Sequence, residues 1–151
     1  MVLDDGRAFA GQSFGAGGEI IAPAVVVTAA SGYQEYLTDP AHAGLVIVAT
    51  TPHSGNVGWN DSDSLSESIQ AVGYVVRDPS PRPSSWRAKS SLEDEMVAQG
   101  IVGICGVDTR ALTRHLRGRG RVRVAISTAD LDAGSLLRKL RATMEVDHAE
   151  A

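Results

Sequence analysis

The sequence predicts a mixed α/β domain, and three observations indicate this fold class. Short runs rich in Ile and Val, such as residues 45–49 and 122–126, are typical of strands. Apolar residues at helical spacing, clearest at residues 136–144, predict helices between and after the strands. The 151 residues match the length of one domain. About six strands and three or four helices follow from these patterns.

The first half of the chain is predicted to consist mainly of strands joined by turns. The pair Asp5-Gly6 is typical of a tight hairpin turn. Residues 31–37 predict a short helix that stops before Pro40, because the residue before a proline avoids helical geometry. Three runs predict strands, the first of them long and mostly buried: residues 19–28, 45–49 and 71–77.

The second half is predicted to be richer in helix. Ser90 and Glu93 have the spacing of a capping box, which opens a helix that Gly100 ends. Asp108 is placed to cap a second helix, which ends at Gly118. Two further runs predict short strands: residues 101–107 and 122–126.

The C-terminal part of the chain is predicted to form one amphipathic helix. Leu136, Leu140 and Met144 recur at helical spacing, with basic residues on the opposite face. We therefore divide the chain into a domain over residues 1–128 and a C-terminal helical extension over residues 129–151. The last residues of the extension are expected to fray, as chain ends commonly do.

Composition limits the classes of partner. Hydrophobic residues make up 43% and charged residues 21%, which excludes a chain that is disordered as a whole. Fourteen basic and eighteen acidic residues give a net charge of −4, opposite in sign to a nucleic-acid-binding protein. No signal segment or bilayer-spanning apolar run is visible. We expect a cytoplasmic protein that binds neither nucleic acid nor membranes.

Two patterns that resemble catalytic motifs have simpler structural explanations. The G-x-S-x-G pattern at residues 11–15 matches a nucleophile elbow, but that motif needs a helix after the serine, and here a strand is predicted to follow. We interpret it as a hairpin loop. Cys105 lies in an apolar run and is expected to pack in the core. The four histidines lack metal-ligand spacing, so no catalytic residue, metal site or cofactor is predicted.

A basic face is the sharpest charge feature of the sequence. Arg110, Arg114 and Arg117 lie on one side of the predicted helix, and no acidic residue occurs between Asp108 and Asp130. The three arginines form either a solvated surface or an interface for carboxylate or phosphate groups. The residues alone therefore indicate an α/β domain with one basic face, and they do not name a function.

Several strings in the chain recur, in the same order, in one protein family. They are L-D-D-G-R-A-F-A-G at residues 3–11, G-Y-Q-E at 32–35, L-T-D-P at 37–40, P-H-x-G-N at 52–56 and G-x-x-G-V-D-T-R-A-L-T-R-H-L-R at 103–117. Together they resemble the N-terminal domain of the small, glutamine-hydrolysing subunit of carbamoyl-phosphate synthetase. The resemblance runs over residues 2–126 and is weak beyond residue 128.

The resemblance implies a β/β/α swivelling-type fold and a role as a scaffold and interface domain. In that family a separate glutaminase domain releases ammonia, which passes through a tunnel to the large subunit for carbamoyl phosphate synthesis, feeding pyrimidines and arginine. Because the chain ends where that domain is expected to begin, we expect no activity from this chain alone. The large subunit and a glutaminase domain are the implied partners, and Arg110, Arg114 and Arg117 are expected to face one of them.

The chain departs from the family pattern at positions where the resemblance implies contact with glutamine or with the ammonia tunnel. Ala41 stands where the family has a serine that contacts glutamine. Ala29, Ala30 and Ser31 stand in a segment that the resemblance places beside the tunnel, where polar residues are usual, and Leu45 replaces a glutamine. These changes leave open an alternative function, a diverged, stand-alone, non-enzymatic protein-binding module.

Overall fold

The computed structural model describes residues 1–28, 33–50, 53–54, 64–79 and 92–150. In chain order the strands are β1 (Val2–Leu3), β2 (Gln12–Ser13), β3 (Glu19–Val27), β4 (Val46–Ala49), β5 (His53–Ser54), β6 (Gly73–Val75), β7 (Asp78–Pro79), β8 (Val102–Cys105) and β9 (Val122–Ser127). The helices are α1 (Tyr33–Thr38), α2 (Leu92–Gln99), α3 (Thr109–Leu116) and α4 (Ala133–Glu150), with a short 3-10 helix at Pro40–His42. These elements confirm the mixed α/β class.

Seven strands form one sheet in the order β1-β9-β3-β4-β6-β8-β2, and β5 and β7 pair with each other. The central strands β3, β4, β6 and β8 run parallel, whereas β9, β1 and β2 pair antiparallel at the two sides. The described residues thus hold nine strands rather than about six. The difference comes from strands of only two residues, which are too short to show an alternating pattern in the sequence.

The sheet is the middle layer of the fold, because its central strands are buried on both faces. Successive side chains of a strand point to opposite faces, so Val46 and Val48 enter one apolar core while Ile47 enters another. The first core includes Leu112 of α3, and the second includes Met96 of α2. Each side chain of this size contributes about 1.5–3 kcal/mol when fully buried.

The long strand β3 is less buried than the sequence predicts. The pattern at residues 19–28 favours a mostly buried strand, but within β3 only Ala22 is buried. The prediction was wrong because β3 is longer than its neighbours. β9 pairs with it only from Glu19 to Ala24, and β4 only from Ala24 to Val27. Each end of β3 therefore lacks one neighbouring strand within the sheet.

The strand β2 approaches β8 so closely that only glycine fits. Residues 11–15 contain this edge strand rather than the predicted hairpin loop, and the next element is the strand β3. A Cβ atom at Gly103 would lie 2.3 Å from the Phe14 carbonyl oxygen. One at Gly11 would lie 2.5 Å from the Cys105 carbonyl oxygen. Cys105 itself is half-buried beside the second core. A Cβ atom at Gly15 would lie 2.8 Å from the Ile101 carbonyl oxygen, so packing explains both glycines of the G-x-S-x-G pattern.

The helix α4 covers the antiparallel side of the sheet. Its Leu136 and Leu140 are buried together with Val2 of β1 and Ala125 of β9, in agreement with the helical spacing. The helix continues to Glu150. The boundary at residue 128 and the frayed tail remain predictions.

A partly exposed ion pair links α4 to the loop that precedes it and to the start of β3. Lys139 Nζ lies 2.9 Å from Asp130 Oδ2 and 3.2 Å from Glu19 Oε1. Hydrogen bonds from Lys139 and then from Ser135 lower the pKa of the Asp130 carboxyl to about 2. The same bond to Asp130, with a second to Glu19, raises the pKa of Lys139. Both groups are therefore charged at neutral pH, and the ion pair is present there.

We predict that Gly103→Ala destabilises the fold by about 1–3 kcal/mol, the usual cost of overpacking a well-packed interior. The added methyl group would meet the Phe14 carbonyl oxygen and the Met96 Cε atom, at 2.3 and 2.6 Å. Urea denaturation measures the change in the free energy of unfolding.

The matched control is Gly17→Ala. A Cβ atom there would lie 3.6 Å from Thr128 Oγ1, an ordinary van der Waals contact. This variant should unfold at the urea concentration of the unmodified chain. Equal stability of the two variants would contradict the close approach of β2 to β8.

Candidate functional site

The helix α3 is held at both ends by the groups that the sequence predicts. Asp108 caps its N-terminus, because the Ala111 amide donates to Asp108 Oδ1 (N···O 3.0 Å). After its C-terminus Gly118 has a φ of +77°, and the Arg119 amide donates to the Leu116 carbonyl oxygen (3.2 Å). The apolar side of α3 is buried, so its basic side faces outward.

Asp5 fastens the C-terminal end of α3 to the turn after β1. Its Oδ2 atom lies 2.6 Å from His115 Nε2 and 2.7 Å from Arg119 Nη1. Partial burial raises the pKa of the Asp5 carboxyl, but hydrogen bonds from the Arg7 amide and His115, with the charge of Arg119, hold that pKa below its ordinary value. The sequence pattern predicts only a turn at Asp5, since these partners are 110 and 114 residues away.

A cleft of about 360 Å³ lies on the outer side of α3. The three arginines that the sequence predicts as an interface all line this cleft. Its lining consists of Thr50, Thr109, Arg110, Thr113, Arg114 and Arg117. All three arginines are exposed. None of them pairs with a carboxylate among the described residues, whereas Arg119 pairs with Asp5. We call this group the arginine cleft.

The arginine cleft is suited to binding an anionic group. A guanidinium presents five N–H donors in a planar fork, which matches carboxylate and phosphate oxygens. Two threonine hydroxyls beside it already donate to backbone carbonyls, Thr113 to Thr109 (2.6 Å) and Thr50 to Val27 (3.2 Å). In this cleft the guanidinium groups are therefore the donors suited to an anion, whereas these two threonine hydroxyls are engaged with the backbone.

Two other kinds of feature, metal sites and membrane-spanning helices, are not found in the described part of the chain. It holds no group of three His, Cys, Asp or Glu side chains placed to bind a metal ion. None of its helices is long and apolar enough to cross a membrane.

The remaining predicted site residues do not join the arginine cleft. Ala41 is exposed in the 3-10 turn, where its amide donates to Asp39 Oδ1 (2.9 Å). Its methyl group offers no hydrogen-bonding atom. Ala29, Ala30 and Ser31 lie outside the described residues, so their place beside a tunnel remains a prediction.

Comparison with known proteins points to one family. The family model "Carbamoyl-phosphate synthase small chain, CPSase domain" matches residues 1–126. The chain is 51% identical over 152 residues to the carbamoyl phosphate synthase small chain of Streptomyces coelicolor, covering 99% of this chain and 40% of the relative. It is 54% identical over 132 residues to that of Corynebacterium diphtheriae, covering 86% and 35%. The chain thus spans about 40% of the length of the curated relatives it matches.

We predict that Arg114→Ala leaves the free energy of unfolding unchanged or raises it by up to about 0.5 kcal/mol, because the substitution relieves a like-charge contact with Arg110 at i,i+4. Urea denaturation at low salt measures this change.

The comparison variant is Arg119→Ala, which removes an ion pair with Asp5. It should lower the free energy of unfolding by up to about 1 kcal/mol, the range of exposed pairs. A greater loss from Arg114→Ala than from Arg119→Ala would show that Arg114 has a structural role and would count against the arginine cleft as a recognition surface.

Proposed function

The chain belongs to the carbamoyl-phosphate synthase small chain family, and from this premise we propose that it is the scaffold and interface domain of a glutamine-dependent carbamoyl-phosphate synthase. The observation that carries the proposal is the family match over residues 1–126, with about 50% identity to small chains. In this role the domain binds a partner and helps to shape the route of ammonia. The product, carbamoyl phosphate, supplies pyrimidine and arginine synthesis in the cytoplasm.

The proposed contact with the large subunit is the arginine cleft. Arginine is enriched at protein interfaces, where its fork pairs with carboxylates of the partner. Arg110, Arg114 and Arg117 have no carboxylate partner among the described residues, so they can pair with another chain without breaking an intramolecular bond. Charged groups at the rim of an interface mainly increase the association rate, and salt weakens this effect.

The domain itself is proposed to be non-catalytic. The arginine cleft contains guanidinium and hydroxyl groups, and its lining includes no carboxylate, thiol or imidazole that could act as nucleophile or base. Glutamine hydrolysis therefore belongs, in this proposal, to a glutaminase domain that the domain contacts.

Ala41 supports a second candidate function, a diverged protein-binding module that has left carbamoyl phosphate synthesis. The sequence resemblance implies a glutamine-contacting serine at this position. An alanine methyl group accepts and donates no hydrogen bond, and Ala41 is exposed without covering an apolar core. Loss of one such bond weakens binding without abolishing it, by about 0.5–1.5 kcal/mol. The two candidates therefore differ in whether glutamine-dependent activity survives.

The interface role predicts a stable complex with a purified synthase large subunit on size-exclusion chromatography at low salt. The complex should weaken as salt is raised. The triple variant Arg110→Ala, Arg114→Ala, Arg117→Ala should weaken it about ten-fold, mainly through a slower association rate.

The control is Arg138→Ala with Arg141→Ala, two exposed arginines on α4, which should leave the complex unchanged. Separate elution of the unmodified chain at low salt would refute the interface role. A complex that the triple variant does not weaken would place the contact away from α3.

A chimaera tests whether glutamine-dependent activity survives with alanine at position 41. In it, residues 1–126 replace the matching part of the Streptomyces coelicolor small chain. We expect the chimaera, with its large subunit, to support glutamine-dependent synthesis. Ala41→Ser should lower KM for glutamine by about two- to ten-fold, the effect of one restored hydrogen bond. The rate with free ammonia should not change.

Two outcomes would contradict this expectation. A chimaera that assembles but stays inactive with glutamine, both with Ala41 in place and after the Ala41→Ser substitution, favours the diverged binding module. If the chimaera with Ala41 has the same KM for glutamine as the unmodified Streptomyces coelicolor enzyme, this position does not contact glutamine.

A further inference from the structure

The strand β3 extends past the end of β9 and leaves part of its edge open. The last pair between them is Ala24 with Val122, so residues 25–27 pair on one side only, with β4. The Thr128 amide donates to the Gly18 carbonyl oxygen on the β9 side (2.9 Å), and the Thr50 amide donates to Val27 on the β4 side (3.1 Å). Even-numbered residues of β3 therefore direct their backbone groups toward β9.

By this alternation, Val26 and Thr28 direct their N–H and C=O groups toward the space beyond the start of β9. Within the described ranges, the backbone pairing with β9 ends at Ala24. An open strand edge with unpaired backbone groups is a template for another strand. Natural edges of this kind are commonly blocked by proline or by a charge placed in the strand, and neither occurs between Val25 and Thr28.

A groove of about 550 Å³ runs along this open edge. Val25, Val26 and Leu116 give it apolar walls, and Arg117 and Arg121 stand at its rim. Both arginines are exposed, and in the part of the chain that the structure describes neither pairs with a carboxylate. We call this groove the β3 edge groove.

Two glycines keep the β3 edge groove open. Gly118 and Gly120, between α3 and β9, have φ values of +77° and +71°. Such values lie outside the β region, so in this conformation β9 does not extend backward to pair with Val26 and Thr28. The loop instead forms one side of the groove.

We propose that the β3 edge groove binds an extended acidic peptide segment of a partner protein, which adds to the sheet beside Val26 and Thr28. The backbone groups of the edge hold the main chain of the peptide, the apolar walls take alternate side chains, and Arg117 and Arg121 pair with its carboxylates. The basic rim selects an acidic segment. A second copy of this chain fits poorly, since edge-to-edge pairing would bring the two arginines of each copy together.

This inference goes beyond the proposed function, because neither the strand edge nor its probe involves the synthase large subunit. The β3 edge groove and the arginine cleft share Thr113 and Arg117 at one wall. Arg121 lines only the β3 edge groove among these clefts. Substitution of Arg121 therefore tests the strand site without altering the residues proposed to contact the large subunit.

The test is fluorescence anisotropy of a labelled peptide of about eight residues, alternating Val and Glu, titrated with the full 151-residue chain. We expect saturable binding that weakens about ten-fold when Lys replaces Glu in the peptide. Arg121→Glu should weaken binding by a similar factor. Arg141→Glu, an exposed arginine on α4, is the matched control and should have no effect.

Two measurements separate strand addition from simple charge attraction. A peptide N-methylated at alternate backbone nitrogens keeps its charges but loses the ladder donors, so it should not bind. Hydrogen exchange of the Val26 and Thr28 amides should slow about ten-fold when the unmodified peptide is bound. Equal binding of the N-methylated peptide, or unchanged exchange at both amides, would overturn the proposal. So would equal binding of the Lys peptide, or self-association of the chain through this edge.

Discussion

The parallel pairing of β3 with β4 is the interaction on which the rest of the structure depends. Four residue pairs are in register, beginning with Ala24 opposite Val46. A slip of one residue would move each side chain of β4 to the opposite face. Because Val46 and Ile47 fill different cores, such a slip would disrupt both cores at once. The same register brings Thr50 to Val27, to whose carbonyl oxygen the Thr50 hydroxyl donates. Thr50 thereby becomes part of the lining of the arginine cleft.

Different residues serve the stability of α3 and the recognition that we propose for it. Its fold is fixed by buried leucines, by the Asp108 cap and by the Asp5 pairs at its end. The outward arginines take no part in these contacts, so a partner can engage them without disturbing the helix. Helical spacing predicts that Arg110, Arg114 and Arg117 share a face. The cleft was not predictable from that spacing, because Thr50 joins it from the end of β4.

Sequence patterns predicted the elements that depend on one stretch of chain. Asp108 opens α3, and Gly100 and Gly118 follow the ends of α2 and α3 with positive φ. Features set by distant partners were not predictable in this way. Asp5 meets a residue 110 positions away, and the open edge of β3 depends on the start of β9 at Val122. No local pattern carries such information, since long-range contacts are fixed only when the sheet forms.

The position of Arg117 has a thermodynamic consequence. Arg117 lines both the arginine cleft and the β3 edge groove. An anionic group that takes this side chain in one of them leaves less positive charge for the other, so two anionic occupants oppose each other. Linkage makes this effect reciprocal: each occupant lowers the affinity of the other by the same factor. One arginine just after a short helix can thus couple the occupancy of two neighbouring surfaces without any change in the fold.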